Sequence, residues 1–370
     1  MKRILQITGS MDRAGAETMV MNLYRELNKE KFQFDFLYFT SKKCDFDDEI
    51  VKMGGRIYRI IEKNPFKRMR ATKKLLVENP HWQTIHCHTL LSNAFHIYAA
   101  YQANVRKRIS HSHNTRDASK NYLLKVIYQP ISRKIQARFA TDFIACGKEA
   151  GDYLFPKVKN VQILQNAIDV KTFANIASRN KEYLRNKFNF NKSTIILIQI
   201  GRFTKVKNHE FSLKIAEELI QQNIDFHLFF VGQGPLEQQI REKVRINSLE
   251  EKISFLGLRE DIPRLLGGSD LLLMPSFHEG FPVVLVESQA CGTPALISDN
   301  IAKEVDLNLG LINFASLSNQ PKNWIKKIEK IIQKPIINTE NRYDILKGKG
   351  FDVKANVSFL EDLYLRKPRD

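Results

Sequence analysis

Short apolar runs alternate with longer amphipathic stretches along most of the chain. Runs of four to eight apolar or β-branched residues bounded by turn residues predict buried strands. Stretches with apolar residues every three or four positions predict helices. In the first half this gives strands at 4–8, 32–39, 56–60, 84–88, 107–111 and 142–146. Between them come helices at 17–27, 46–53, 67–78 and 93–103, a helix or helix pair at 122–139, and a short helix at 148–154. A second series of strands, at 194–200, 225–231, 253–256, 270–275 and 294–297, alternates with helices at 209–222, 236–247, 261–266 and 282–290. A last helical pattern covers 353–365, after Gly348 and Gly350. Strict strand–helix alternation predicts parallel sheets covered on both faces. A chain of 370 residues with two such series is expected to form two Rossmann-like α/β domains. The boundary falls at 165–169, with a first domain over 1–166 and a second over 167–350, and the expected ligand site is the cleft between them.

One segment of the second series carries chemistry. The apolar run Leu271-Leu272-Leu273-Met274 reads as a buried parallel strand and is followed by Ser276-Phe277-His278-Glu279-Gly280-Phe281-Pro282-Val283. Gly280 permits a tight turn, and Pro282 suits the first position of a helix. Glu279 then lies in the strand-to-helix loop and Glu287 a little over one turn into the helix. Between them the helix N-terminus offers unsatisfied amides, a site for phosphate. A carboxylate is a poor partner for phosphate but a good acceptor for sugar hydroxyls. An anion cradle with a carboxylate at each end therefore suits a sugar nucleotide. Taken alone, the two glutamates read more readily as solvated, one on a loop and one on a helix face.

The flanking residues add to this. Ala290-Cys291-Gly292-Thr293-Pro294-Ala295-Leu296-Ile297-Ser298 reads as a helix stop and a Pro-led buried strand. The stretch from Ser269 to Ser298 resembles the donor-binding signature of the retaining glycosyltransferases of family 4, which have the two-domain GT-B fold. The resemblance implies that the terminal helix, with 351–370, returns to the first domain. It also implies that Arg202 and Lys207, in Gly201-Arg202-Phe203-Thr204-Lys205-Val206-Lys207, grip the donor diphosphate without a metal; Lys205 is expected to be exposed. Gly232 and Gly234, in the turn after the next strand, lie close to the donor, and the loop Leu256-Gly257-Leu258-Arg259 borders the base. Amides following Gly280, at Phe281, Pro282 and Val283, bracket the phosphate site, although proline itself has no donor. Glu287 holds the ribose and Glu279 faces the donor sugar. In the first domain, Arg13-Ala14-Gly15-Ala16-Glu17 resembles the family's Gly-Gly-x-Glu loop, with Ala14 in place of the first glycine and Gly15 kept. The strand end His111-Ser112-His113 resembles the one that carries an active-site histidine, with His113 preferred to His111. Catalytic roles thus fall on His113, Glu279, Arg202 and Lys207. No enzymatic nucleophile is evident.

Charge sharpens the first domain. Residues 1–165 hold 29 Lys+Arg against 15 Asp+Glu, net +14, whereas the remainder nets +4 of the total +18. The excess gathers at 63–74, at Arg106-Lys107-Arg108, and around Lys125, Arg133, Lys134 and Arg138, with Phe66, Tyr122, Tyr128 and Phe139 interleaved. Such a face suits an anionic membrane or nucleic acid, and no nucleic-acid-binding signature is present. The expected partners are a UDP-sugar, a lipid-linked saccharide acceptor and the anionic inner face of the membrane, without nucleic acid; the transferred group would be a hexose or N-acetylhexosamine. A UDP-sugar epimerase on the same fold and a polyanion-binding protein are the alternatives. No cofactor or metal is expected. The pairs His86-Cys87-His88 and His111-Ser112-His113 lack the carboxylates and spacing of a zinc site, and Asp45-Phe46-Asp47-Asp48 reads as the acidic start of a helix. Four cysteines without a CxxC pair suggest a reducing compartment, and the start of the chain reads as a strand rather than a signal peptide. The expected location is cytoplasmic and peripheral to the membrane.

Overall fold

The computed structural model describes residues 1–114, 124–333 and 339–367. The chain divides into two units, Met1–Ala167 with Asp352–Asp370, and Ile168–Phe351.

The first unit contains seven parallel strands, β1 (Lys2–Ile7), β2 (Phe32–Tyr38), β3 (Ile57–Arg59), β4 (Thr84–Cys87), β5 (Lys107–Ser112), β6 (Asp142–Ala145) and β7 (Gln162–Ile163). Their order is β3-β2-β1-β4-β5-β6-β7. Alternate residues face opposite sides. Ile4, Phe34, Phe36, Ile109 and Ile144 pack with helices Gly15–Glu26 and Val353–Leu365, while Leu5, Ile7, Leu37, Ile85 and Cys87 form the core on the other face with Leu76 and Ile97. The last helix is capped by Asp352, whose carboxylate accepts from the Ala355 amide, and belongs to the first unit. Its end is held by Lys107, which is buried and donates to the carbonyls of Leu363 and Arg366. A cation there also meets the negative end of the helix dipole.

The second unit contains β8 (Ile195–Ile200), β9 (Phe226–Val231), β10 (Ile253–Phe255), β11 (Leu271–Met274), β12 (Ala295–Ser298) and β13 (Ile312–Ala315), in the order β10-β9-β8-β11-β12-β13. Both sheets reverse their winding once, between β1 and β4 in the first and between β8 and β11 in the second. In such sheets ligands bind outside the carboxyl ends of the strands at that switch.

The sequence reading leaves 155–193 and 298–350 without elements. The structure adds β7, β13 and helices Val170–Arg179, Tyr183–Phe188, Pro321–Ile332 and Thr339–Gly348. The helix at Pro321–Ile332 was signalled by Trp324, Ile325, Ile328 and Ile331, which form its buried stripe. The two-residue β7 and the half-buried β13 are too short to show a period. Of the helix or helix pair expected at 122–139, residues 122–123 lie outside the described residues. From 124 a single π-turn, Leu124–Tyr128, runs into helix Gln129–Phe139. Among the described residues no helix is long and apolar enough to cross a membrane.

Candidate functional site

The loops after β8, β9, β10 and β11 hold the predicted donor residues of the second unit. After β8 the chain passes Gly201, makes one 3-10 turn at Lys205–Lys207 and enters helix His209–Gln221 through Asn208, which is left-handed at φ 51°. The Asn208 side chain donates to the Pro275 carbonyl at 3.0 Å, and the Phe277 amide donates to the Val206 carbonyl at 2.8 Å. These bonds tie the β8 and β11 loops together. The Lys207 stem lies across Gly201, where a Cβ would sit 3.1 Å from Lys207 Cε. Its ammonium then meets Glu279 Oε1 at 2.7 Å, with the side chains only 20% and 12% exposed.

This pairing revises the expected electrostatics. Two free cations were expected on the β8 loop, but the Lys207 charge is already countered by Glu279. Arg202 is exposed, and among the described residues its guanidinium has no partner. Among the described residues it is therefore, with Lys205, an uncompensated cation of the loop. Lys205 is exposed, as expected.

Gly232 and Gly234 have a packing role. A Cβ on Gly232 would lie 2.3 Å from the Gly201 carbonyl oxygen, and one on Gly234 would lie 2.6 Å from the Phe203 backbone. The Phe203 amide donates to the Gln233 carbonyl at 3.1 Å, and Leu236 donates back to Phe203 at 3.0 Å. The two glycines let the β9 loop support the β8 loop at backbone distance. Arg259 is bound bidentately by Asp261, both contacts 2.7 Å, so its side chain is already engaged.

Helix Val283–Cys291 starts one residue later than expected, with Pro282 as its N-cap. The Leu285 amide is taken by the Pro282 carbonyl at 3.0 Å, which leaves the amides of 283 and 284 in the first turn as candidate anion donors. A Cβ on Gly280 would meet nothing within 4 Å, so this glycine leaves open space in front of the turn. The side chains of the next three residues belong to the protein. Phe281 stacks on Phe351 at 5.3 Å, Pro282 is buried, and Val283 joins the same cluster. Glu287 is largely enclosed, and among the described residues no hydrogen bond or ion pair reaches it. Burial pushes its carboxyl up to about 7. The Cys291 thiol, one turn further on, is also pushed up, first by burial and then by Glu287. An enclosed carboxyl without a protein partner is the kind of group a ribose hydroxyl would satisfy.

In the first unit, Gly15 opens helix Gly15–Glu26, and a Cβ there would meet nothing within 4 Å. Ala14 is the N-cap in extended conformation. At the ends of β4 and β5, His86, His88, His111 and His113 form a two-by-two array on one sheet face, with ring centroids 4.0–5.3 Å apart. Burial holds His86 and His113 down at about 3 and lowers His88 and His111 well below the usual histidine range. His113 is part-exposed, but its nitrogens are inside. Nε2 is 2.8 Å from His88 Nδ1, and Nδ1 is buried without a partner among the described residues. Ligand atoms of His86, His88 and His111 lie within 4.8 Å of one another. Their facing nitrogens are engaged in hydrogen bonds to neighbouring rings, to Gln6 and to Tyr364. The Asp45–Asp48 segment is occupied locally. Asp45 accepts from the Arg13 amide, Asp47 from Arg59 and the Cys44 amide, and Asp48 pairs with Lys43.

The basic face is smaller than the sequence count. Lys107 is buried, and Arg108 is spent on the carbonyls of Phe139, Val105 and Arg106. Arg68 lies over the Phe39 ring and donates to the Glu62 carbonyl. Arg133 lies over Tyr153. The Lys125 side chain and Tyr122 lie outside the described residues. Lys63, Lys67, Arg70, Lys74, Arg106, Lys134 and Arg138 remain exposed, as are Phe66, Val126, Ile127 and Ile131. Phe66, Phe95 and Tyr128 form a continuous aromatic line, with centroid separations of 5.7 and 6.0 Å.

Two family models match the chain, "Glycosyltransferase Family 4" over residues 13–172 and "Glycosyl transferases group 1" over residues 180–345. The putative glycosyltransferase EpsF of Bacillus subtilis is 37% identical, covering 98% of this chain and 96% of that protein. The capsular polysaccharide biosynthesis glycosyltransferase CapH of Staphylococcus aureus is 27% identical over 99% of both. The UDP-Gal:alpha-D-GlcNAc-diphosphoundecaprenol alpha-1,3-galactosyltransferase of Escherichia coli is 22% identical over 78% of this chain and 77% of its own length. The fold is shared with Anabaena HepE, solved in complex with UDP, at TM-score 0.77 and 16% identity, covering 98% of this chain and 99% of HepE.

Proposed function

The chain belongs to the family 4, group 1 glycosyltransferases of the bacterial exopolysaccharide and capsule type, and from that premise we propose that it moves a hexose or N-acetylhexosamine from a UDP-sugar to a lipid-linked saccharide with retention of configuration. The observation that carries the reading is the Lys207–Glu279 contact at the switch between β8 and β11. It fixes a cation and a carboxylate side by side where a diphosphate and a sugar would meet. Arg202, Lys207 and the amides of 283 and 284 stabilise the charge of the departing diphosphate. Glu279 accepts donor-sugar hydroxyls, and each such bond shares the carboxylate with Lys207. Glu287 accepts from the ribose. The acceptor hydroxyl attacks on the face of the leaving phosphate, which takes its proton, so the protein chiefly aligns two substrates and steadies charge.

The donor and acceptor classes are supported by the E. coli relative, whose name gives UDP-galactose as donor and a diphosphoundecaprenol-linked sugar as acceptor. A lipid-linked acceptor also suits the exposed Phe66, Ile127 and Ile131 among Lys67, Arg70, Lys134 and Arg138, a surface fitted to an anionic membrane. The test is UDP release from a panel of UDP-sugars with and without EDTA, with the product anomer read by NMR. Release abolished by EDTA and restored by magnesium or manganese would overturn the metal-free reading. An inverted product would overturn retention. Flotation with anionic but not neutral vesicles, lost on reversing Lys67 and Arg70, is the expected membrane result.

A further inference from the structure

The histidine array of the first unit is wired into two hydrogen-bond chains that begin at one amide. Gln6 Oε1 is 2.8 Å from His88 Nε2, and His88 Nδ1 is 2.8 Å from His113 Nε2. Gln6 Nε2 donates to the Tyr364 hydroxyl at 3.2 Å. That hydroxyl is 2.9 Å from His86 Nδ1, and His86 Nε2 is 3.1 Å from His111 Nδ1. The last nitrogens, His113 Nδ1 and His111 Nε2, are buried and without partners among the described residues. Their ring centroids are 4.0 Å apart.

Neutral imidazole donates from one nitrogen and accepts at the other, so each chain has a direction. With Gln6 Oε1 accepting, His88 donates from Nε2 and accepts at Nδ1. His113 then donates from Nε2, and its Nδ1 ends the chain as a lone pair. Along the other branch, Tyr364 accepts from Gln6 and donates to His86 Nδ1. His86 then donates from Nε2 to His111 Nδ1, and His111 Nε2–H ends the chain as a donor. Rotating the Gln6 amide by half a turn reverses both chains together. With every link made, the two ends are always one donor and one acceptor. A metal ion held by both ends would need two lone pairs, which this wiring denies.

We propose that Gln6 and Tyr364 are positioning residues that lock the tautomers of this array, so that His113 Nδ1 and His111 Nε2 present an acceptor and a donor to one carbohydrate hydroxyl. A hydroxyl both gives and takes a hydrogen bond, and a sugar presents several. The carbohydrate identity rests on the glycosyltransferase reading above; the tautomer lock does not.

The two parts are tested separately on the full-length chain. Long-range proton–nitrogen spectra of histidine-labelled protein should show His86, His88, His111 and His113 all as neutral Nε2–H tautomers. In Gln6→Glu the carboxylate accepts from both Tyr364 and His88. The chain through His86 and His111 then reverses to Nδ1–H, while His88 and His113 keep Nε2–H. Tyr364→Phe, which breaks only the longer chain, should likewise leave His88 and His113 unchanged. Unaltered His86 and His111 in Gln6→Glu, or reversal of all four rings, overturns the lock. For function, Gln6→Glu should lower kcat about tenfold, roughly one lost hydrogen bond, with the UDP-sugar KM within about threefold. If the tautomers reverse and kcat of an active enzyme does not change, the hydroxyl role is overturned while the lock stands. If no UDP-sugar is turned over by wild type, the donor reading fails, and the tautomer result is still decisive for the lock.

Discussion

The two switch points solve the problem of a polar site in different ways. In the second unit the candidate site is charged, with an ion pair at Lys207–Glu279, an Arg202 without a partner among the described residues and an enclosed acid at Glu287. In the first it is neutral and enclosed, with four imidazoles held uncharged by burial and joined to each other. A diphosphate leaving group needs fixed positive charge. A sugar hydroxyl needs only a donor and an acceptor of known direction. On the proposed function, charge and direction are allotted to different sheets.

Acid provides the largest test of this contrast. A histidine lowered by folding contributes full stability above its unfolded pKa of about 6.5 and loses it as pH falls, by about 1.4 kcal/mol per pH unit per group. The first unit encloses five such histidines (86, 88, 96, 111 and 113), against His209 and His227 in the second. Glu287 has the opposite sign. Its raised pKa costs stability as pH climbs from the unfolded value of about 4.3 towards 7. The first unit should therefore unfold at the higher pH on acidification. Each unit buries one of the two tryptophans, Trp82 and Trp324, so fluorine-labelled tryptophan resolves the two transitions. Coincident transitions, or loss of the Trp324 signal first, would break the contrast.

Next in size is the ion pair. Lys207→Ala and Arg202→Ala should each reduce transfer about ten- to a hundredfold, from the loss of a charge-assisted bond of about 1.5–3 kcal/mol. Lys207→Ala also strands Glu279, so adding Glu279→Ala should cost less than it does alone, a non-additivity that steady-state kinetics can read. Lys205→Ala should change activity by less than about threefold, since the proposed diphosphate contacts fall on Arg202 and Lys207 and Lys205 is an exposed surface cation. Equal effects at Lys205 and Lys207 would mean that the pairing has no bearing on the reaction.

The smallest effect concerns Glu287. If its ionised form accepts from the ribose, UDP should bind more tightly as pH rises from 6 to 7, by up to about tenfold. UDP titrates its own phosphate in this range, so the measurement is the difference from Glu287→Gln by calorimetry. An identical pH dependence in both proteins would remove Glu287 from the ribose site.

The sequence by itself determined the alternation of elements, the two-sheet class and the segments that reach the switch point of the second sheet. Strand burial and helix amphipathicity are local periodicities, and Gly and Pro punctuate them. It also placed Glu279 and Lys207 on loops after buried strands, although it was the resemblance to family 4 that told Lys207 from Lys205. Tertiary structure alone decided that Lys207 and Glu279 neutralise each other, that Gly232 and Gly234 serve backbone approach, and that Lys107 and Arg108 cap carbonyls instead of facing outward. It also joined Gln6 to Tyr364 across 358 positions of sequence, through a helix that closes the first domain. Such pairings are set by strand order and by which helix covers which face. Charge counts and spacing carry no record of either, because they are blind to the direction a side chain takes once its neighbours are fixed.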